Sequence, residues 1–263
     1  MEELLKRETK ENIEILTLND PKKLNALSED MLLCLEQTFQ EISQDRNIKV
    51  VILRSSGKAF CAGHDLKQMQ LARQSDDNGK KYFNELFRRC GKFMMSIRKL
   101  PQPVIASVNG IATAAGCQLV ASCDLAIASS DASFGVNGVN IGLFCSTPMV
   151  ALSRNIGRKK TFEMLITGEF IDANTAEQQG LINKIVDLKD LKQESFLLAK
   201  KIDSKLSSAV KIGKEAFYKQ SEMSLENAYD FTAEVMAENM LNQDTNEGIS
   251  AFIEKRKPDW EQT

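Results

Sequence analysis

Residues 103–119 read PVIASVNGIATAAGCQL, and this stretch decides the fold class. It opens with an apolar run, Pro103–Val108, which predicts a strand buried on both faces. The run ends in a loop of small residues, Asn109–Gly116, and the sequence after the loop is typical of a helix. A strand, a small-residue loop and a helix in direct succession indicate an α/β domain.

The same design occurs once more, earlier in the chain. Lys49–Leu53 predicts a buried strand, and the sequence KAFCAGHDL at 58–66 leads from it towards another helix. Small residues allow a ligand to approach the backbone, and amide N–H groups at a helix start point outward. Two such amides facing each other would form an oxyanion hole. The alternative is that glycine and alanine only permit close packing of helix on strand, but the matched pair of loops weakens it.

The rest of the chain extends the α/β pattern. Ile13–Leu18 predicts a strand, and Ser28 predicts the N-cap of a helix with one apolar face. Helices dominate from Pro148 onward, and the last long helical tract is predicted at about Leu225–Met240. We therefore predict one α/β domain with a core over residues 1–195 and a helical C-terminal region over 196–263.

Composition excludes several classes of function. The formal charge of −2 argues against nucleic acid as a partner, and the one histidine with six scattered cysteines offers no zinc site. We predict reduced thiols, no metal and no signal peptide. Two long uncharged stretches, 100–123 and 132–153, combine proline, asparagine and glycine, so they indicate a buried interior rather than membrane spans.

Motifs along nearly the whole chain resemble the enoyl-CoA hydratase/isomerase (crotonase) superfamily. They are PKKLNAL at 21–27, AFCAGHDL at 59–66, PVIASVNG at 103–110, AAGCQL at 114–119, CDL at 123–125, SFG at 133–135, TGE at 167–169, GLIN at 180–183 and KRKP at 255–258. Three stretches, GHDL, GCQLVASCDLAIAS and GLFCSTP, resemble one poorly understood subgroup of that superfamily.

The resemblance implies a crotonase (ClpP-like) superhelix of strand–strand–helix turns with a helical C-terminal trimerisation region. It implies a homotrimer or a dimer of trimers, a coenzyme A thioester as substrate, and no cofactor, since coenzyme A is part of the substrate. It implies a cytoplasmic protein if the source is bacterial. A eukaryotic source implies the mitochondrial matrix, after removal of a transit peptide.

The resemblance also implies roles for individual residues. The backbone amides of His64 and Ala115 would hold the thioester oxygen. By the same resemblance, acyl-CoA would be contacted by residues of two loops. In the loop at 21–27 they are Lys22, Lys23, Leu24 and Ala26, and in the loop at 58–66 they are Ala62, His64, Asp65 and Leu66. Lys67 would add positive charge. Lys255, Arg256 and Lys257 would either reach the phosphates of a neighbouring subunit or form a solvated tail.

The pattern departs from the family at both catalytic glutamates. Gln118 stands where the first is expected, and Gly138 is the ungapped match to the second. An amide cannot accept a proton. We therefore predict an acyl-CoA-binding protein of hydratase/isomerase type with weak or altered hydratase activity. The alternative is a non-catalytic thioester-binding or regulatory subunit. A serine hydrolase is disfavoured because no G-x-S-x-G motif occurs.

Other side chains near these positions each allow two interpretations. Cys145 would serve as a base only if its pKa were depressed; otherwise it is a buried cysteine beside a capping Ser146 or Thr147. Asn137 and Asn140 either fix a substrate or water, or are ordinary turn residues. The His64 imidazole either transfers a proton directly or, as we favour, contacts coenzyme A or packs within its loop.

Overall fold

The computed structural model describes residues 3–260. Its strands are β1 Leu5–Lys10, β2 Ile13–Leu18, β3 Val50–Ser55, β4 Ala59–Cys61, β5 Val104–Val108, β6 Ile111–Thr113, β7 Leu125–Ser129, β8 Ser133–Gly135, β9 Ile171–Asp172 and β10 Lys184–Val186. Its α-helices are α1 Glu29–Gln44, α2 Leu66–Ala72, α3 Lys80–Lys99, α4 Ala115–Ser122, α5 Pro148–Leu152, α6 Arg158–Thr167, α7 Ala173–Gln178, α8 Leu191–Asp203, α9 Ser207–Gln220, α10 Leu225–Met240 and α11 Gln243–Ile253. Short 3-10 turns cover Pro21–Lys23 and Asn137–Ile141.

Two sheets organise the chain. The larger has the order β1-β2-β3-β5-β7-β10, and the smaller has the order β4-β6-β8-β9. All neighbours are parallel except β1 with β2 and β8 with β9. Three successive strand pairs, β3–β4, β5–β6 and β7–β8, each place one strand in each sheet. This repetition is the predicted superhelix of strand–strand–helix turns.

The sequence pattern explains the central strands and the first helices. β3 and β5 are buried along nearly their whole length because the sheet is covered on both faces. Ser28 caps α1, as predicted, because its hydroxyl accepts a hydrogen bond from the amide of Met31. The apolar faces of α1 and α3 meet where the rings of Phe39 and Phe93 pack edge to face, with centroids 5.3 Å apart.

The C-terminal helices are tied to the core by a buried ion pair. Lys214 on α9 donates to Asp124 at 2.6 Å and to the carbonyls of Ile97 and Gln102. Tyr218, one turn further along α9, donates to the other oxygen of Asp124 at 2.8 Å. Because Asp124 lies two residues after the end of α4, this network connects the C-terminal region to the helix that follows the second small-residue loop.

Four elements differ from the expectation. β4 and β6 lie within the two stretches predicted as loops, 58–66 and 109–116. β1 was not predicted, because only its first residue is buried and the others are polar and exposed. α11 follows the helix that the sequence predicted as the last long one. The predicted boundary at residue 195 lies within α8, and the ends of the two predicted regions, 1–2 and 261–263, lie outside the described residues. The division itself stays a prediction.

Candidate active site

The two small-residue loops meet in space. β4 pairs with β6 in parallel, so the residues that follow these strands lie side by side. Gly63 has a φ of 87° and faces the start of α4. A methyl group built on it would lie 3.0 Å from the Cβ of Ala114 and 3.3 Å from the amide nitrogen of Ala115. Only glycine allows this approach, because it adopts the left-handed conformation and has no side chain to occupy the gap.

Two backbone amides at this contact have no acceptor among the residues that the structure describes. Ala115 is the first residue of α4, where amides have no partner within the helix. Within residues 3–260, neither its N–H nor that of His64 donates a hydrogen bond. Ala114, before the helix, has a φ of 50°, a strain of about 1–3 kcal/mol for a residue with a side chain. Two amide donors that lack an acceptor in the described part of the chain therefore lie at the contact of Gly63 with α4.

The loop of the PKKLNAL motif, residues 21–27, is held against this contact. The amide of Leu27 donates to the Gly63 carbonyl at 2.7 Å, and the amide of Ala62 donates to the Leu24 carbonyl at 3.0 Å. Asn25 is completely buried, and its side chain donates to the carbonyls of Ser56 and Ala59. In the sequence, Asn25 stands out only as part of the motif at 21–27, and its fixed position explains why this loop keeps its shape.

The residues predicted to contact coenzyme A lie on the loop at 21–27 and on the loop at 58–66 with the start of α2. Lys22 and Lys23 are exposed in the 3-10 turn, and Lys23 lies 3.4 Å from the buried carboxylate of Asp65. Asp65 caps α2 by accepting from the amides of Lys67 and Gln68. The remaining predicted contacts flank these residues: Leu24, Leu66 and Lys67 are exposed, Ala62 is half-buried and Ala26 is buried.

The side chain of His64 turns away from its own amide. Its Nδ1 lies 3.4 Å from the Leu27 carbonyl, and its ring packs edge to face against Phe87 of α3 with centroids 5.8 Å apart. The other ring nitrogen is buried and has no partner in the described chain. Burial lowers the pKa of the His64 imidazole, and the contact with Leu27 opposes this effect only in part. The imidazole is therefore neutral at pH 7.

Gln118 lies on α4 three residues after Ala115, so the two residues share a face of that helix. It is only 4% exposed, and its Oε1 has no hydrogen-bond partner within residues 3–260. An unpaired buried amide oxygen costs about 1–3 kcal/mol. A bound molecule or water that donates to this oxygen would remove that cost.

Gly138 leaves no room for a side chain. A Cβ built on it would lie 2.2 Å from the carbonyl oxygen of Leu143 and 2.8 Å from the sulfur of Cys145. The chain reverses direction here, because the amide of Leu143 donates back to the Gly138 carbonyl. A glutamate at 138 therefore requires the segment 138–145 to move.

The other candidate side chains near this segment have ordinary structural surroundings. Burial raises the pKa of the Cys145 thiol, which keeps it protonated and argues against a thiolate base. Asn137 accepts a hydrogen bond from the hydroxyl of Thr113 at 2.6 Å. Thr147 is the N-cap of α5 but makes no side-chain capping bond, and Ser146 is exposed.

At the C-terminus, Arg256 forms ion pairs with Glu247 and Glu254 of its own chain. Lys255 and Lys257 are exposed. Within residues 3–260, no group of three or more histidine, cysteine or acidic side chains is arranged to hold a metal ion. No helix in the described range is both long and apolar enough to cross a membrane.

The fold and the two loops define a class of protein, and comparison with known proteins agrees. The sequence profile of the enoyl-CoA hydratase/isomerase family matches residues 8–263, so the chain belongs to that family. The mouse mitochondrial enoyl-CoA hydratase domain-containing protein 3 is 47% identical over 250 residues, which are 95% of this chain and 82% of the mouse protein. The resemblance to a subgroup, noted in the sequence, is to the proteins of this name and is confirmed.

Solved structures show the same relationship. An enoyl-CoA hydratase from Mycobacterium smegmatis superposes with a TM-score of 0.95 at 51% identity, covering 98% of this chain and 99% of the other. Human enoyl-CoA hydratase domain-containing protein 3 superposes with a TM-score of 0.93 at 45% identity, covering 98% and 100%. The predicted crotonase fold is therefore confirmed.

Proposed function

We propose that this protein binds an acyl-CoA thioester whose carbonyl oxygen accepts hydrogen bonds from the amides of His64 and Ala115. The observation that carries the proposal is the contact at Gly63, which brings two unpartnered amide donors together at the start of α4. Each such donor stabilises a developing oxyanion by about 3 kcal/mol. Coenzyme A enters as part of the substrate, and the proposal includes no separate cofactor.

The surrounding residues suit the coenzyme A portion. Lys22, Lys23 and Lys67 are exposed cations beside the two loops, and phosphates need local cations when a chain has no strong net charge. Leu24, Ala62 and Leu66 offer apolar surface next to backbone groups, and Ala26, whose side chain is buried, would contact the ligand through its backbone. Asp65 is committed to capping α2 and to Lys23, so we assign it a positioning role.

We further propose that hydratase activity is weak or altered. A positioned acid–base group contributes about 10²–10⁴-fold to a rate, and this chain lacks both carboxylates that the family resemblance implies. Gln118 donates to or accepts from a water but takes up no proton. Gly138 offers only backbone, and burial keeps the thiol of Cys145 protonated.

A non-catalytic thioester-binding subunit is the second candidate. The packing around Gly138 favours it, because the backbone of Leu143 and the sulfur of Cys145 fill the space that a side chain at 138 would need. Under this proposal the amide pair is kept for recognition, and the protein delivers or withholds a thioester without converting it.

We also propose a homotrimer or dimer of trimers. Large apolar side chains are exposed on the C-terminal helices of the single chain, including Met236, Met240, Phe252 and Ile253. Such surfaces are typical of faces covered by other subunits. The curated mouse relative is named as mitochondrial, so a eukaryotic source favours the mitochondrial matrix and a bacterial source the cytoplasm.

The two candidates are separated by one pair of measurements. Thermal unfolding is followed with crotonyl-CoA and with free coenzyme A, and hydration of crotonyl-CoA is followed by its absorbance. Both candidates require a rise in melting temperature with the thioester. A rate above the uncatalysed one supports the hydratase, whereas binding at the uncatalysed rate supports the subunit. No thermal shift with either ligand would contradict both.

Gln118→Glu sharpens the test. The new carboxylate is added without changing the size of the buried side chain, and we expect hydration to increase by at least about tenfold if Gln118 lies at the reacting carbon. Gln178→Glu, an exposed position on α7, is the matched control and should leave the rate unchanged.

A further inference from the structure

A second cavity lies away from the paired amides. It has a volume of about 930 Å³ and opens between the end of α3, the region of α5 and α9. On α3, Phe87 packs on His64 while Arg98 lines the cavity, eleven residues further along the helix. At 1.5 Å per residue this corresponds to roughly 16 Å. The cavity is therefore distinct from the candidate thioester site.

Two arginines converge in this cavity. Arg98 Nη2 lies 3.7 Å and Arg154 Nε lies 3.9 Å from the same oxygen of Glu222. Both distances exceed that of a hydrogen bond. Glu222 is 59% exposed on its side chain, so its carboxylate is held loosely between the two guanidinium groups. The point where they converge is a position suited to a carboxylate oxygen.

Arg98 is positioned to bind a carboxylate. Its guanidinium lies 4.4 Å above the ring of Tyr218, which fixes its plane, and its side chain is only 21% exposed. Tyr218 is itself fixed by its hydrogen bond to Asp124. In the part of the chain that the structure describes, Arg98 makes no side-chain hydrogen bond, although a guanidinium carries five N–H donors.

The walls combine positive charge with apolar surface. Six cationic and two acidic side chains line the cavity: Arg98, Lys99, Arg154, Lys211, Lys214 and Lys219, with Glu215 and Glu222. Between them lie apolar side chains, of which Met95, Val150 and Met223 are partly exposed to water. A small inorganic anion would pair with the arginines but leave this apolar surface uncovered.

We propose that the cavity binds a medium- or long-chain carboxylic acid. The carboxylate pairs with Arg98 and Arg154 and displaces Glu222, and the hydrocarbon chain covers Met95, Val150 and Met223. The volume is within the range of small-molecule sites. Charge complementarity selects the anionic head, and the apolar walls select the chain.

Dodecanoate, below its micelle concentration, is the probe, and its binding to the full-length protein is measured by isothermal titration calorimetry. We expect one site per chain, with dodecanol binding at least about tenfold more weakly because it lacks the charge that pairs with arginine. Saturating free coenzyme A should leave dodecanoate affinity unchanged. Displacement by coenzyme A, or the absence of saturable binding, would overturn the proposal.

Substitutions of the two arginines and of Glu222 should change dodecanoate affinity in opposite directions. Arg98→Met and Arg154→Met should each weaken dodecanoate binding by about tenfold or more. Glu222→Gln should tighten it, because it removes the carboxylate that competes for the same position. Arg46→Met, an exposed arginine between α1 and β3, makes the same charge change elsewhere and should have no effect. Equal affinity in all four variants, each with a native circular dichroism spectrum, would overturn the proposal.

Discussion

The candidate site has two sides that are built by different means. The amide side comprises Gly63, His64 and Ala115, and its geometry follows from strand pairing and from an approach at Gly63 so close that a Cβ there would lie about 3 Å from Ala114 and Ala115. The acid–base side comprises Gln118, Gly138 and Cys145, and here function would depend on side chains. Under the proposed function, holding a thioester and moving a proton therefore depend on different parts of the fold. Loss of the second by substitution then leaves the first in place.

The physical reason lies in what each side contributes to folding. The close approach at Gly63 depends on β4, β6 and the start of α4, so it persists as long as the sheet forms. Gln118 is tolerated at its buried position because an amide is neutral, whereas a buried carboxylate would have a desolvation cost. The chain reversal at Gly138 then closes the space that a second acid would need.

Gly116→Ala should have the largest effect, because it breaks both sides together. A Cβ there would lie 2.1 Å from the carbonyl oxygen of Cys61, so α4 must move off β4 and carry Ala115 and Gln118 with it. We expect a loss of about 3 kcal/mol in the free energy of unfolding, measured by urea denaturation.

Gly91→Ala is the matched control for that variant. Gly91 is also within a helix, α3, but a Cβ on it would meet nothing within 4 Å. Alanine is the better helix former, so this variant should be more stable than the wild type by about 0.5–1 kcal/mol. Equal stability of the two variants would contradict the close contact of α4 with β4.

Gly63→Ala should break the amide side alone. The added methyl group separates the two loops at the contact with Ala114 and Ala115, and one amide donor loses its position. Losing a hydrogen bond to a neutral carbonyl, worth about 0.5–1.5 kcal/mol, predicts acyl-CoA binding weaker by about two- to tenfold, measured by calorimetry.

Gly142→Ala controls for backbone strain in that experiment. Gly142 has a φ of 74°, so alanine has a similar conformational cost there, but its Cβ would meet nothing within 4 Å. Acyl-CoA affinity should be retained in this variant. Comparable loss of affinity in both variants would show that strain, rather than separation of the amides, is responsible.

Gly138→Ala should affect only the acid–base side. Its Cβ would clash with Leu143, but the segment after Gly138 is largely exposed and can shift, so we expect a loss of about 2 kcal/mol in unfolding free energy. Acyl-CoA affinity of the folded protein, measured by calorimetry, should be unchanged. A large loss of affinity would indicate that the two sides are coupled.

The sequence predicted the amide side better than the acid–base side. Two loops of the same design after two buried strands are a local pattern, and the structure brings Gly63 and Ala115 together as that pattern suggests. The exclusion of a side chain at 138 depends on how the chain folds back at Leu143, which no local pattern records. β1 was missed for a related reason, since an edge strand with one buried residue shows no apolar alternation.

The smallest expected effect is on the pH dependence of stability. It separates the two roles of His64: its backbone amide would bind the thioester, whereas its imidazole titrates. Burial holds the folded pKa of the imidazole below 6.5, so from about pH 6.5 downward the unfolded chain takes up a proton that the folded chain does not. Stability contributed by the neutral imidazole is thus present above pH 6.5 and lost as the pH falls towards the folded pKa. Since His64 is the only histidine, His64→Gln should reduce the fall in melting temperature between pH 7.5 and pH 5.5. The same variant should keep its acyl-CoA affinity, because glutamine supplies the same backbone amide; a loss there would instead assign recognition to the imidazole.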